Sequence, residues 1–327
     1  MFSKNLAETI LFSPISLGAD SISILSGNAT PTMASWYLTS LHEKRAGSSF
    51  PSIQVNLVVG MTSVDGVSSS FHSEFKDLQH RNATDASWDP FSCSYVYDLP
   101  AIHSNLYVWT KEGNPLIAFV GSAPFLQSSF LSSGVEGLRV ENLMSEADPN
   151  EALNYYRDVE EHTMFCTHSE IEGNVRITND FPPDLGQCNP QTDLETVTLS
   201  LLTRNGSIGK KSGLNWGQRA GRNPNEAYIP VPREVAQKGF FPLNRQQFTV
   251  QTDDHKSLIL RIEQERDKAL TTPLSNSLLG EYFRGRLGLG NGDYVSLESL
   301  EEYGRTDVSF TKIDEEQYYM DFSQPVK

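Results

Sequence analysis

The sequence predicts an α/β domain followed by an all-β domain. In the first half, β-branched apolar runs alternate with stretches of helical periodicity, whereas the second half contains short strand-like runs separated by polar loops. Between the halves, residues 179–193 form a turn-rich stretch with three prolines and no periodicity. At 327 residues, each half is long enough to bury its own core. We therefore expect domains over residues 1–180 and 193–327, joined by a linker over residues 181–192.

Five runs in the first half predict strands. They cover residues 21–27, 53–60, 94–97, 103–110 and 115–122. The last two are separated by the turn-forming residues KEGN and predict a hairpin. Helices are expected after Thr30-Pro31, over residues 68–78, and after Asp148, where a capping residue is followed by proline and glutamate.

Seven short apolar runs in the second half predict the strands of a small barrel or sandwich. They cover residues 196–202, 227–232, 247–252, 257–263, 293–300, 308–313 and 318–323. One amphipathic helix is predicted around residues 277–287.

The net charge of −15 is unevenly distributed. Residues 1–190 carry 9 Lys and Arg against 22 Asp and Glu, a net charge of −13, which leaves 17 against 19, a net charge of −2, for residues 191–327. The second half also contains five cations with no acidic residue between them: Arg204, Lys210, Lys211, Arg219 and Arg222. Because Lys and Arg neutralise phosphates, a nucleic acid is expected to contact the second half.

Cysteine usage and hydropathy indicate a cytoplasmic protein with no membrane contact. Cys93, Cys166 and Cys188 have neither the pairing of a disulfide framework nor the spacing of a zinc site. No apolar stretch approaches the ~20 residues that a membrane span requires, and the N-terminus lacks the pattern of a secretory signal.

The basic loop, which we define as residues 206–225 (GSIGKKSGLNWGQRAGRNPN), is glycine-rich, polar and longer than a hairpin needs. Lys and Arg suit phosphates or guanine edges, Asn and Gln suit adenine, and Trp216 offers a rigid apolar contact. A solvated surface loop would have a similar composition. A second loop, residues 264–272, adds Arg266 and Lys268, although it also suits the end of a salt-bridged helix.

The second half resembles the C-terminal domain of the NgoFVII-type restriction endonucleases. The runs that carry the resemblance are SGLNWGQRAGRNPNEAYIPVP, NSLLGEYFRGRLGL, YGRTDVSFTKID and YYMDFS. The resemblance implies a B3-like pseudobarrel whose two arms bind double-stranded DNA in the major groove. It places one group on the first arm, namely Lys211, Asn215, Trp216, Gln218, Arg219, Arg222 and Asn223, and it places Arg266 and Lys268 on the second.

In the first half, the predicted hairpin brings two reactive side chains to the same end of a sheet. His103 opens one strand, and Gly121-Ser122 closes the next. An imidazole at such a position can act as a nucleophile, although a single histidine is also often structural.

The first half is similar to the phospholipase-D-superfamily nuclease domain that precedes the B3-like domain in the same family. The similar runs are SILSGNATPTMASWYL, VNLVVGM and HSNLYVWTKEGNPLIAFVGSAPF. The likeness implies a mixed sheet flanked by helices and the pattern H-x-K, then G-S-x-N, then an acid. It further implies a phosphohistidine intermediate at His103 without a metal, in a site formed by a homodimer through this domain.

Two positions depart from that pattern. Asn105 stands in place of the lysine and Pro124 in place of the asparagine, while His103 and Ser122 are retained. Loss of such an electrostatic stabiliser removes about 3 kcal/mol, roughly 100-fold in rate. Glu141, with Glu136 as the alternative, is expected to be the downstream acid. Either Asn105 supplies the missing amide to a slower nuclease, or the nuclease is impaired and DNA binding remains.

Three other functions compete with the nuclease. Lipid hydrolysis would need an apolar or basic membrane-facing surface, which the acidic first half does not offer. A DNA-binding module without chemistry would need only the second half. A subunit of a larger complex, served by an ATP-driven translocase, is also compatible, since this chain has no G-x-x-x-x-G-K-[ST] motif of its own.

Overall fold

A computed structural model describes residues 1–46, 50–131, 142–179, 194–263 and 268–324. The chain divides into two compact units, Met1–Asp180 and Phe181–Lys327. Residues 181–192, where we expect the linker, lie outside the described residues.

The first unit is built on a mixed seven-stranded sheet with the order β7-β6-β5-β1-β2-β4-β8. Strands β1, β2 and β4 run parallel, and the other neighbours are antiparallel. A separate two-stranded parallel sheet pairs β3 with β9. The strands are β1 (Ser21–Ser26), β2 (Gln54–Val59), β3 (Val67–Ser68), β4 (Phe91–Val96), β5 (Asn105–Lys111), β6 (Asn114–Gly121), β7 (Met144–Ala147), β8 (Thr163–Phe165) and β9 (Ile177–Thr178).

The three longest helices of the first unit follow the sequence signals, and three helices of four residues were not predicted. The α-helices are α1 (Pro31–Ala46), α2 (Thr62–Asp65), α3 (Ser69–Thr84), α4 (Gln127–Phe130), α5 (Pro149–Glu160) and α6 (Ile171–Asn174), with shorter helical turns over Ala7–Phe12 and Ser13–Leu17. As predicted, the hydroxyl of Thr30 accepts the amide of Met33, and Asp148 accepts the amides of Asn150 and Glu151.

Helices cover both faces of the large sheet. On one face, Leu153 and Tyr156 of α5 pack with Leu25, Val58 and Leu106 of the strands. On the opposite face, rings from α3 lie against Tyr95 of β4, with Phe75 6.4 Å from it between centroids. The central strands are therefore buried on both sides, as their continuous apolar runs predict.

The predicted hairpin is confirmed, with a small shift at its open end. Glu112 and Gly113 form its turn with φ values of 50° and 78°, the left-handed pair of a tight hairpin connection. His103 and Ser122 lie just outside the two strands rather than at their ends, because β5 begins at Asn105 and β6 ends at Gly121.

The second unit contains a seven-stranded, mainly antiparallel sheet with the order β10-β15-β16-β12-β13-β14-β11. The edge strands β10 and β11 lie beside each other, so the sheet is almost closed into a barrel. Among the described strands of this unit, β12 and β16 are the one parallel pair. The strands are β10 (Thr196–Ser200), β11 (Ile229–Pro230), β12 (Gln247–Thr252), β13 (Ser257–Glu263), β14 (Ala269–Thr271), β15 (Asp307–Lys312) and β16 (Gln317–Asp321).

The expectation of an all-β second domain with one helix is wrong in part. Besides α8 (Ser277–Arg286), which was predicted, the unit contains α7 (Arg233–Lys238) and α9 (Leu297–Tyr303). Residues 293–300 were expected to form a strand, but Ser296 caps α9 by accepting the amide of Ser299, and only Val295 and Leu300 of this run are buried apolar residues. Apolar residues five positions apart fit a capped helical turn better than the alternation of a strand.

The barrel core comes from alternate residues of the strands. Phe248 and Val250 of β12, Val308 of β15 and Tyr318 of β16 share one cluster with Phe283 of α8. No helix in the described part of the chain is both long and apolar enough to cross a bilayer.

Candidate functional site

The sheet register brings four strand ends to one edge in the first unit. Strands β1 and β2 end side by side, since Ser26 pairs with Val59. Strand β5 starts at the same edge because it runs antiparallel to β1, and Asn105 pairs with Gly121 at the end of β6. The segment before β5, which carries His103, and the segment after β6, which carries Ser122, therefore leave the sheet at the same edge, as predicted.

Two glycines seat the exposed His103 across this edge. A Cβ at Gly27 would lie 3.2 Å from the Cα of His103, and a Cβ at Gly60 would lie 2.4 Å from the carbonyl oxygen of Ile102. The amide of Ile102 donates to the carbonyl of Gly60 at 3.1 Å. A side chain at position 60, just after β2, would therefore force residues 102–103 to move, and one at position 27, just after β1, would make a tight contact with His103. The glycines are visible in the sequence as the ends of two apolar runs, but nothing local connects them with the histidine.

The side chain of Asn105 is buried and turned into the sheet. Its Oδ1 accepts from the Ser26 hydroxyl at 3.0 Å and from the Gly27 amide at 3.2 Å, and its Nδ2 donates to the Gly121 carbonyl at 3.3 Å. The same Ser26 Oγ accepts the amide of Phe125 at 2.8 Å. Asn105 thus joins the ends of β1 and β6, and its amide is engaged inside the protein.

Ser122 is exposed, and its hydroxyl proton is available for a further hydrogen bond. Its Oγ accepts the Leu143 amide at 2.9 Å, whereas its contact to the Leu143 carbonyl, at 3.5 Å, is at the limit of a hydrogen bond. The hydroxyl proton can therefore turn to a ligand at this edge. Pro124, two residues on, offers no donor, and its carbonyl accepts the Leu126 amide at 2.7 Å.

A second imidazole lies at the same edge of the sheet. His162 precedes β8, whose first residue pairs with Val96 at the end of β4, and its Nδ1 is 3.0 Å from the Oδ1 of Asp98. Both side chains are exposed. This pair is not recognisable in the sequence because the two residues are 64 positions apart. Glu141 and Glu136 lie outside the described residues.

In the second unit, the basic loop is folded around a short 3-10 helix, Gly213–Gln218. Asn215, expected on the DNA-binding arm, is fully buried: its Nδ2 donates to the carbonyls of Gly209 and Val295, and its Oδ1 accepts the Val295 amide at 2.9 Å. In this conformation Asn215 holds the loop to the residues before α9 and cannot reach a base.

Further anchors tie the basic loop to α8 and to the residues after it. The buried guanidinium of Arg284 donates to the carbonyls of Leu214 and Pro224 in the loop, and also to those of Gly280 and Asp293. Gln218 donates to the carbonyl of Gly292 at 2.9 Å. The buried guanidinium is stabilised by these carbonyl dipoles and by the nearby charges of Asp293 and Glu281, so Arg284 fixes the loop against the barrel.

The remaining polar side chains of the first arm face solvent. Lys210, Lys211, Arg219, Arg222 and Asn223 are exposed, and the Nε of Arg219 donates to the carbonyl of Lys211 at 2.8 Å. The Arg222 guanidinium stacks on the partly exposed Trp216, 3.9 Å from Cζ to ring centroid, and forms an ion pair with Glu226. The arm therefore presents several exposed cations, one of which, Arg222, lies over an aromatic ring.

In the second arm, the described residues begin at Lys268. Lys268 is exposed, and its carbonyl accepts the amide of Val231 at 2.7 Å. The expected loop is shorter than predicted, because Ala269–Thr271 form β14 by pairing with β13 and β11. Arg266 lies outside the described residues.

Comparison with known families assigns both units. Residues 4–173 match the model of the NgoFVII restriction endonuclease N-terminal PLD domain, and residues 190–314 match that of the NgoFVII C-terminal B3-like DNA-binding domain. A search of curated proteins finds no match. Because the first model alone spans more than half of the chain and the second continues along it, this protein belongs to the NgoFVII restriction endonuclease family.

Proposed function

We propose that the protein is a restriction endonuclease that cuts double-stranded DNA at a specific sequence, as part of a restriction-modification system. The observation that carries this proposal is the exposed His103, which packs over Gly27 at the same sheet edge as Ser122, in a domain of the PLD type. The attached B3-like unit, with its exposed cations on the basic loop, would supply the recognition of the duplex.

In the proposed chemistry, a ring nitrogen of His103 attacks the phosphorus of the scissile phosphodiester. A phosphorus–nitrogen bond forms, the bond to the leaving oxygen breaks, and a second acid protonates that oxygen. Water then attacks the phosphohistidine, loses a proton to the same second group, and releases His103. The hydroxyl of Ser122 would donate to a phosphate oxygen. No cofactor, metal or ATP takes part in these steps.

The second acid would come from a homodimer formed through the first unit. One chain presents one His103, so His103 of the partner subunit is the group that protonates the leaving oxygen in this proposal. Glu141 is proposed as the acidic residue that orients the histidine, with Glu136 as the alternative.

A second candidate is a DNA-binding protein with an impaired nuclease. The observation that favours it is the inward-facing amide of Asn105 together with Pro124, which leaves the phosphate site without the lysine and asparagine of the family pattern. Such a chain would act as the recognition subunit of a larger complex, which could include an ATP-dependent translocase.

The test combines cleavage and binding by the purified full-length chain. Supercoiled plasmid is incubated with and without EDTA, and duplex retardation is measured at low ionic strength. His103→Ala is compared with His80→Ala, a matched change at an exposed histidine on α3. EDTA-resistant cutting that only His103→Ala abolishes supports the nuclease. Retardation without cutting supports the second candidate, and a chain that does neither contradicts both.

A further inference from the structure

Trp216 of the basic loop is the centre of a cluster of three stacked or edge-packed side chains. Trp216 contacts the guanidinium of Arg222, whose Cζ is 3.9 Å from the ring centroid, and the ring of Tyr228, which is 5.5 Å away and nearly perpendicular. Stacking on an indole fixes the plane of a guanidinium and weakens its hydration. Arg222 is therefore held as a rigid, partly exposed fork.

Glu226 holds the guanidinium of Arg222 from the side by an ion pair. Its Oε2 forms the ion pair with Nη1 of Arg222, and its Oε1 lies 3.4 Å from the amide of Asn223. Its backbone carbonyl accepts the amide of Gly217 at 2.7 Å, and its own amide donates to the carbonyl of Asn223 at 2.9 Å. The carboxylate is thus fixed beside the arginine, while the long Oε1 contact leaves that oxygen able to accept another hydrogen bond.

The fixed carboxylate distinguishes Arg222 from the other cations of the loop. A phosphate that approached Arg222 would also approach the negative charge of Glu226, which opposes its binding. No such carboxylate contact is found at Lys210 and Lys211 within the described residues. A base edge carries no net charge, so the same carboxylate does not repel it.

The guanidinium of Arg222 and the carboxylate of Glu226 lie side by side and complement the hydrogen-bonding groups of one base pair. The free N–H groups of Arg222 fit the O6 and N7 acceptors of guanine, and Oε1 of Glu226 fits the N4 amino donor of the paired cytosine in the major groove. We infer that Glu226 is a specificity-determining residue that directs Arg222 to a guanine–cytosine pair rather than to the phosphate backbone. This inference rests on the proposed DNA recognition by the second unit.

The experiment uses the full-length chain carrying His103→Ala, so that cutting does not remove bound DNA. A pool of duplexes with a randomised central segment is selected for binding, and the recovered sequences give the base preference at each position. Glu226→Gln is compared with Glu234→Gln, which removes the same charge at an exposed position of α7. Affinity for one fixed unselected duplex is measured in parallel, and thermal melting checks that each variant is folded.

We expect the parent chain to select a sequence with at least one strongly preferred guanine–cytosine pair. In Glu226→Gln the preference at one such pair should fall roughly tenfold, and affinity for the unselected duplex should rise several-fold because a phosphate repulsion is lost. Glu234→Gln should leave both quantities unchanged.

A second variant separates base reading from a structural role. Arg222→Lys keeps the charge but loses the planar fork, so it should weaken the preference at the same pair and keep the salt dependence of binding. If Glu226→Gln and Arg222→Lys instead change affinity equally for all sequences, the inference is overturned although DNA recognition stands. If the parent chain selects no sequence at all, the proposed recognition function fails first.

Discussion

The buried Oδ1 of Asn105 accepts a hydrogen bond from the hydroxyl of Ser26 at 3.0 Å, which joins the start of β5 to the end of β1. In the motif that the resemblance implies, a lysine stands at this position, and in the proposed nuclease its charge would face the phosphate. In this chain the position is used to hold two strand ends together. The charge of the candidate site and its internal packing are therefore linked through one residue.

Restoring the lysine and the asparagine of the family pattern should accelerate cleavage. In Asn105→Lys combined with Pro124→Asn, a positive charge and an amide are returned beside the phosphate, and we expect the rate of plasmid cutting to rise roughly 100-fold. Loss of supercoiled plasmid over time measures the rate. Pro124→Asn alone is the control and should give a much smaller increase, because it adds no charge. A doubly changed chain that is folded but no faster would contradict the proposed role of this position.

A methyl group at Gly60 should displace the histidine segment. The added Cβ would lie 2.4 Å from the carbonyl oxygen of Ile102, so residues 102–103 must move. We expect Gly60→Ala to lower cutting roughly 100-fold, since a displacement of about 1 Å can misalign a nucleophile to that extent. Gly173→Ala is the matched control, because a Cβ there meets no atom within 4 Å. Equal activities of the two variants would refute the role of Gly60 in positioning residues 102–103.

Removing the buried guanidinium of Arg284 should destabilise the second unit. Arg284→Met leaves the carbonyls of Leu214, Pro224, Gly280 and Asp293 without this donor, at a cost of about 3 kcal/mol or more. The melting transition of this unit should fall by roughly 10 °C, as followed by calorimetry. The exposed Arg233→Met should shift it little. A small effect of Arg284→Met would show that the loop is held mainly by Asn215 and Gln218.

His72 should make the first unit less stable in acid. Burial in α3, followed by the nearby charge of Lys76, lowers the pKa of His72 from its ordinary value of 6.5. The unfolded chain then binds the proton more readily, so the contribution of His72 to stability is complete above pH 6.5 and is lost as the pH falls below it. The physical reason is that a charged ring would be desolvated beside Tyr95, whose hydroxyl is 3.3 Å from Nδ1.

The measurement for His72 is the urea midpoint at about pH 5 and about pH 7.5, on either side of the ordinary histidine pKa. We expect His72→Gln to reduce the loss of stability between the two values, because glutamine does not titrate in this range. His80→Gln, at an exposed site, should keep the loss seen in the parent chain. The same loss in His72→Gln would assign the acid sensitivity to other groups.

Exposed lysines of the basic loop should set the salt dependence of DNA binding. For each phosphate that the protein no longer neutralises, the slope of log affinity against log salt concentration should change by about 0.9. Lys210→Gln with Lys211→Gln should therefore weaken binding to all duplexes alike and flatten the slope by roughly 2. A variant that loses sequence preference with an unchanged slope would place these lysines at the bases instead.

Local signals predicted much of the first unit. Capping residues at Thr30 and Asp148, the turn at Glu112 and Gly113, and the apolar runs of β1 and β2 each act over a few neighbours, so they can be recognised without knowing the fold. The strand predicted from the apolar pattern of residues 293–300 was wrong, because Ser296 caps a helix there and the buried apolar residues of the run pack into the barrel core around that helical turn.

The sequence by itself determined the two-part organisation, the concentration of cations in residues 204–222, and the presence of His103 and Ser122 as the candidate reactive side chains. Only the tertiary structure decided which polar residues remain available. Asn105 and Asn215 have the chemistry of phosphate and base ligands, yet strand ends and carbonyls brought from distant parts of the chain bury them and occupy their amides. Glu226, by contrast, lies only four residues after Arg222, and the contact of Arg222 with Trp216 holds the guanidinium of this local pair. Hydrogen-bonding capacity is a property of a residue, but whether it is used inside the protein or offered to a ligand depends on contacts between segments far apart in the sequence.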